Sequence, residues 1–281
     1  MPAITSNGAT FRYIREGSGP PVLLLHGYMF GADWWRPQID ALRDHFDVIA
    51  MDLRGQMGSE TTDDPAGYDM WNQAEDALGV LAGLGLASAH VVGLSMGGFI
   101  GMRLALRHPE AVRSLVLMDT AAAPEDPEKA ERYEAMAAVV EEGGLEAVVP
   151  AMPPIFLADD FIVEHRDEVD AWLERLRNAN HAGLIHNIRA INRRDDISPR
   201  LAEIKVPVLV IHGEQDVSIP LEVGRGLAGA IPGARLEVVS GAHQSNVDRP
   251  RETSRLIRDF LLDRAPDAVA MAEDRSGGQR G

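Results

Sequence analysis

Gly93-Leu94-Ser95-Met96-Gly97 sets one serine between glycines two residues to either side. The segment follows the apolar run His90–Val92 and opens a helical pattern that begins near residue 96. A serine at a strand-to-helix turn projects its hydroxyl into a cleft, at a backbone strain of about 1–3 kcal/mol. The helix behind it aims unpaired N–H groups at any nearby anion. Those are the needs of a nucleophile that passes through an oxyanion. The bland alternative is a glycine-rich turn with no reaction to perform.

A serine hydroxyl is a weak nucleophile without a base, and the base needs an orienting acid. Downstream of Ser95 the histidines are 108, 165, 181, 186, 212 and 243. His108 ends the helical pattern that Ser95 opens, which puts it about 20 Å away at 1.5 Å rise per residue. His165, His181 and His186 fall in a stretch without strands, and 181 and 186 are spaced i, i+5, wrong for a metal pair on one helix face. His212 reads as a packing residue. His243, in SGAHQSNVDRP, follows the last apolar run and so lies at the carboxyl edge of a sheet, where ligands bind in open α/β folds.

The acid has three candidates: Asp216 in IHGEQDVSIP, Asp119 in VLMDT, and Glu214. Asp216 is preferred because its loop and that of His243 follow consecutive strand-like runs. Leu25-His26-Gly27-Tyr28 ends the run PVLLL at the same edge, so the backbone N–H groups of Tyr28 and Met96 together make an oxyanion site.

The elements that must position these groups are legible from periodicity. Continuous apolar runs at Pro21–Leu25, Phe46–Met51, His90–Val92, Ser114–Met118, Val206–Ile211 and Arg235–Val239 predict strands covered on both faces. Helical patterns at 34–43, 69–84, 96–108, 221–230 and 248–262 alternate with them. The fold class is therefore α/β, a mostly parallel twisted sheet with helices on both faces. Phe11–Arg15 is predicted as an early strand at an antiparallel edge. Residues 121–200 hold only helical patterns, with Tyr133, Met136, Ala137 and Val140 on one face. The predicted organisation is a core of 1–120 and 201–264, a helical insertion at 121–200, and a disordered tail at 265–281.

Composition narrows the partners. A formal net charge of −16, from 43 acidic and 27 basic residues, repels phosphate backbones and anionic lipid, so neither nucleic acid nor membrane is expected. Cysteine is absent, which excludes disulfides, thiolate metal sites and a cysteine nucleophile. The N-terminus lacks the pattern of a signal peptide and no apolar stretch approaches the length of a membrane span, so a cytoplasmic protein is expected.

HGY at 26–28, DLRGQMGS at 52–59, GLSMGG at 93–98, HGEQD at 212–216 and GAHQSN at 241–246 stand in the order and spacing of the α/β-hydrolase superfamily, which the chain resembles over about residues 3–263. IPGARLEVVSGAHQSNVDRP is similar to 3-oxoadipate enol-lactonases, related small esterases and cofactor-free haloperoxidases. The resemblance implies Ser95 as nucleophile, His243 as base, Asp216 as acid, Tyr28 and Met96 N–H as oxyanion donors, and 121–200 as a lid. Met57 stands where the family usually has a glycine after Gln56. Asp52 and Arg54 are expected to pair with each other and hold that loop.

A serine at 95 excludes the dehalogenases and epoxide hydrolases of this fold, whose nucleophile is aspartate. The expected activity is hydrolysis of a small carboxylic ester or lactone through an acyl-enzyme, with no metal or cofactor. Perhydrolase (haloperoxidase) or C–C bond hydrolase chemistry at the same triad is the alternative, and a slowly reacting ligand receptor is the rival from outside catalysis. Trp34, Met136, Met152, Ile155, Phe156, Phe161 and Trp172, with Tyr28, are the candidates for the substrate pocket.

Overall fold

In a computed structural model describing residues 1–265, the apolar runs become an eight-stranded sheet. The strands are β1 (Ala3–Ser6), β2 (Ala9–Gly17), β3 (Pro21–Leu25), β4 (Asp47–Met51), β5 (Ala89–Leu94), β6 (Val112–Met118), β7 (Val208–Gly213) and β8 (Arg235–Val239). Their spatial order is β1-β2-β4-β3-β5-β6-β7-β8. β2 is antiparallel to both β1 and β4, and the remaining neighbours are parallel. The predicted strand at 11–15 is the middle of the nine-residue β2, and it is not the edge. That place belongs to β1, whose four residues AITS are too few and too polar to register as an apolar run.

Parallel strands cannot be joined by a tight turn, so helices return the chain to the starting edge of the sheet. They are α1 (Arg36–Leu42), α2 (Met70–Gly83), α3 (Met96–Arg107), α4 (Pro127–Gly143), α5 (Pro153–Phe156), α6 (Asp159–Glu164), α7 (Arg166–Arg177), α8 (His181–Asn192), α9 (Leu221–Ala230), α10 (Ser245–Asp248) and α11 (Pro250–Leu262). Alternation along each strand divides the core. Val22, Leu24, Val48, Ala50, Val92 and Val116 meet Trp35 and Ile39 of the α1 region and Ile257, Phe260 and Leu261 of α11. Leu23, Leu25, Ile49, Val91 and Leu115 meet α2, α3 and α9 on the other face. Spacing of i, i+3, i+4 in α11 puts its three apolar anchors on one stripe, each contributing roughly 1.5–3 kcal/mol on burial.

The interval between β6 and β7 holds α4 to α8 and adds no strand among the described residues. The tail expected at 265–281 lies, from 266 onward, outside the described residues.

The 52–59 loop corrects one expectation. Asp52 does not pair with Arg54; its carboxylate accepts the N–H groups of Ala32 (2.7 Å) and Gly58 (3.1 Å). Arg54 turns to Asp76 on α2, at 2.6 Å, with both side chains buried. The chain leaves β4 and turns at Arg54, and each side chain takes the partners that face it: backbone N–H groups for Asp52 and the α2 carboxylate for Arg54. Met57, where glycine was expected, has φ +47°. The position keeps the left-handed backbone that glycine adopts without cost, here at about 1–2 kcal/mol.

Asp76→Asn keeps the shape of the Arg54 partner and removes its charge. An uncompensated guanidinium would remain buried, and the expected loss is about 3–5 kcal/mol in urea unfolding. A loss below about 1 kcal/mol would show that water reaches this pair.

Candidate active site

The turn that carries Ser95 is made by close contact. Ser95, between β5 and α3, has φ +53° and ψ −115°, a conformation that non-glycine residues occupy only under constraint. A Cβ on Gly93 would run into the backbone of Gly97, and one on Gly97 would run into the carbonyl of Leu25 at the end of β3. The two glycines therefore let strand and helix approach until the turn has no room to relax. Ser95 N–H donates to Met118 O at 2.8 Å, and Thr120 Oγ1 donates to Ser95 O at 2.7 Å, fixing the turn from β6.

Three loops at the carboxyl edge then converge. Ser95 Oγ lies 2.8 Å from His243 Nε2, and His243 Nδ1 lies 2.8 Å from Asp216 Oδ2. The other Asp216 oxygen accepts N–H bonds from Ser218 and Ile219, both at 2.8 Å. With Nδ1–H donating to the carboxylate, Nε2 is left to accept the serine proton. All three side chains are buried.

Asp119, the rival acid, is engaged elsewhere. It accepts Gly213 N–H at 2.7 Å and lies 2.5 Å from Ser245 Oγ, bracing the loops after β7 and β8. Burial, then the nearby charge of Asp216, pushes its carboxyl well above the usual range. Glu214 lies in the same loop as Asp216, but its side chain is exposed. His212 is a packing residue, its Nε2 on Ile219 O at 2.8 Å.

Tyr28 and Met96 both keep a backbone N–H with no acceptor among the described residues. The 26–32 loop that carries Tyr28 is anchored from below. His26 Nδ1 bonds Gly27 O at 2.7 Å and its Nε2 accepts Leu53 N–H at 2.9 Å, while Gln56 Oε1 accepts Met29 N–H at 2.8 Å. Burial lowers the His26 pKa, in keeping with that neutral tautomer.

A mainly apolar cavity opens beside Ser95 and His243. Tyr28, Met136, Met152, Ile155 and Phe156 lie on its wall. Trp34, Phe161 and Trp172 do not. Trp34 and Trp172 pack around Phe30, with ring centroids 4.7 Å from it in both cases, and Trp172 Nε1 donates to Met29 O. Phe161 stacks on His165. These large rings are spent on the seam between the β3 loop and the 121–200 insertion, where flat faces fill a dry gap.

Sequence reading missed Phe99, Tyr133, Ile188, Ile191, Glu125 and Lys129 on the cavity wall. Lys129 Nζ donates to Ser218 O at 2.9 Å and lies 3.0 Å from Glu125, which also meets Arg194 at 3.0 Å. Burial pushes the Glu125 carboxyl up, but Arg194 and Lys129 outweigh it and hold it below its ordinary value. The sequence signal was a lysine at the start of an otherwise amphipathic helix.

Asp119, His212 and Asp216 bring possible metal-ligating atoms within 4.8 Å of one another. Both carboxylates are already committed, so a cation there would have to strip His243 of its acid. Among the described residues, no helix is long and apolar enough to cross a membrane.

Residues 20–142 match the model of the alpha/beta hydrolase fold. "Putative carbamate hydrolase RutD" of Agrobacterium fabrum is 31% identical over 88% of this chain and 95% of its own length. The chain belongs to the α/β-hydrolase superfamily. It is similar in structure to the enol-lactonase from Burkholderia xenovorans LB400, at TM-score 0.88 and 31% identity over 93% of this chain and all of that one. A thermophilic esterase from Thermogutta terrifontis gives TM-score 0.86 at 27% identity, covering 92% of this chain and 94% of that one. Each of these relatives is a hydrolase by name, and hydrolysis is the activity this α/β hydrolase shares with them.

The glycine contacts give a direct test of the turn. Gly97→Ala forces Cβ against backbone that cannot move away, at an expected cost of about 3 kcal/mol in denaturant unfolding. Gly226→Ala on α9 meets nothing within 4 Å and should be neutral or stabilising by about 0.5–1 kcal/mol. Equal effects would refute the close approach.

Proposed function

We propose that this protein hydrolyses small carboxylic esters or lactones through an acyl-enzyme on Ser95, without metal or cofactor, and that it works in the cytoplasm. The observation that carries the reading is the unbroken chain Ser95 Oγ–His243 Nε2 and His243 Nδ1–Asp216 Oδ2, with 2.8 Å at each link, at the mouth of an apolar cavity. The enol-lactonase and esterase relatives support the same class of bond.

In this mechanism His243 Nε2 takes the Ser95 proton as Oγ attacks the carbonyl carbon. The tetrahedral oxyanion is received by the free N–H groups of Tyr28 and Met96, each typically worth about 10² to 10³ in rate. Asp216 stabilises the imidazolium. Protonated His243 then gives its proton to the departing alkoxide oxygen, which leaves the site from an ester and stays tethered from a lactone. Water attacks the acyl-enzyme, His243 takes one of its protons, and the Ser95 oxygen recovers that proton as the acid departs. Residues 121–200 act as the lid over this chemistry, supplying Met136, Met152, Ile155 and Phe156 to the acyl pocket.

The charged groups on the wall refine the substrate class. Glu125 and Lys129 line the cavity, and with Arg194, which meets Glu125 from outside that wall, they sum to one positive charge in a protein of net charge −16. Two of the three Lys129 ammonium protons have partners in Ser218 O and Glu125, and the third is available to a ligand. The favoured substrate therefore carries a carboxylate remote from the scissile bond.

Asp216→Asn should leave the fold intact and cost on the order of 10⁴ in kcat, because the imidazole loses its correct tautomer. Asp119→Asn should cost less than about tenfold, since the amide oxygen can still accept Gly213 N–H and no hydrogen bond among Ser95, His243 and Asp216 is touched. The measurement is p-nitrophenyl butyrate turnover, and the opposite order would move the acid to Asp119. Absence of turnover on graded p-nitrophenyl esters and simple lactones, with turnover of carbamates, would replace the ester reading with a carbamate one.

For Lys129→Met, kcat/KM on a p-nitrophenyl hemiester of a dicarboxylic acid should fall about tenfold or more. That on neutral p-nitrophenyl butyrate should stay within about threefold. Parallel losses on both substrates would assign Lys129 to structure.

A further inference from the structure

Asp248 belongs to none of the groups above, yet it is buried beside the base loop. Its Oδ2 accepts the N–H of Ala242, the residue before His243, at 2.8 Å. The same carboxylate accepts the N–H of Ala158 at 3.2 Å to each oxygen. On the other side of the base, Gln244 N–H donates to Phe156 O at 2.8 Å. The residues flanking His243 are thus both tied to the 156–158 segment. Phe156 stands on the cavity wall with its ring centroid 5.7 Å from that of His243.

We propose that Asp248 is a positioning residue for His243, locking the base loop to the pocket segment 156–158 so that wall and base keep one geometry. The inference rests on the triad reading of Ser95, His243 and Asp216. Arg249 reinforces the joint from outside, with Nη2 2.8 Å from Asp160 and Nε donating to Ser240 Oγ at 2.9 Å. Asp160 and Arg249 are the charged neighbours that Asp248 senses. Burial dominates and raises its carboxyl to about 6, so the anion is held at neutral pH by its backbone N–H donors rather than by a buried cation. A carboxylate in that position has one use that an apolar side chain cannot replace, which is to join two N–H groups from segments 84 residues apart.

The consequence is a kcat effect with little change in binding. A base displaced by a fraction of an ångström still lets substrate enter, whereas proton transfer depends steeply on its placement. Two variants cut the joint from opposite sides. Asp248→Asn puts an amide where two N–H donors need acceptors. Ala158→Pro deletes a single N–H at a residue whose φ is already −68°, after a residue in extended conformation, so proline fits the backbone there.

The experiment measures kcat and KM on p-nitrophenyl butyrate for the intact chain, with the melting temperature and the low-field proton resonance of His243 Nδ1–H. Expected for both variants is a folded protein with kcat about ten- to a hundredfold lower, KM within about threefold, and a shifted or broadened imidazole proton. Unchanged kcat in either folded variant, or kcat and KM falling together with an unchanged imidazole resonance, would overturn the proposal. If Ala158→Pro does not fold, Asp248→Asn decides by the same criteria. Turnover that survives Ser95→Ala would refute the triad reading instead, and the imidazole resonance would still report whether Asp248 holds the base.

Discussion

The close approach of α3 to the end of β3, with Gly97 against the Leu25 carbonyl, is the contact on which the other features depend. It tightens the turn until Ser95 must take φ +53°, so the hydroxyl leaves the helix axis and faces the cleft. Met96 begins the helix at that contact, and Tyr28 lies three residues beyond Leu25, in the loop that follows β3. A larger side chain at 97 would push the start of α3 away from the end of β3. The strain at Ser95, about 1–3 kcal/mol, is small beside the burial of the strands that impose it.

Around that contact the carboxyl edge of the sheet holds two buried acids with different tasks. Hydrogen bonding decides which is which. Asp216 receives two backbone N–H groups and the imidazole. Asp119 is enclosed more fully and sits beside that anion, so it is pushed toward the neutral form and serves as a brace between the loops of β7 and β8. One loop supplies the charge, and the other keeps the two loops in register.

The 121–200 helices contribute surface rather than catalytic groups. Their aromatic residues divide the labour by size. Trp172 closes the seam against Phe30, leaving smaller and more adaptable side chains such as Met136, Met152 and Ile155 at the cavity. Flexible thioethers can fit acyl groups of several shapes, whereas a stacked indole cannot yield without opening the seam.

Sequence alone determined the elements with a strong local signature. The α/β class followed from continuous apolar runs alternating with helical periodicity, and Ser95 from glycines that only a tight strand-to-helix turn requires. His243 and Asp216 followed from their places after consecutive strands. What the tertiary structure decided was every pairing across long sequence separations. Asp52 and Arg54 looked like natural partners at two residues' distance, but the N–H groups of Ala32 and Gly58 occupy Asp52, and Arg54 meets Asp76 on α2. Trp34 and Trp172 carried the composition of a pocket and were drawn instead into the seam. Lys129, Glu125 and Arg194 gave little warning, because a charge network is assembled from residues up to 69 apart. β1 escaped notice because four residues, two of them polar, form a strand only when β2 offers them an edge. Periodicity records which face a side chain turns to the core; which neighbour waits there is set by the packing of segments that sequence order does not bring together.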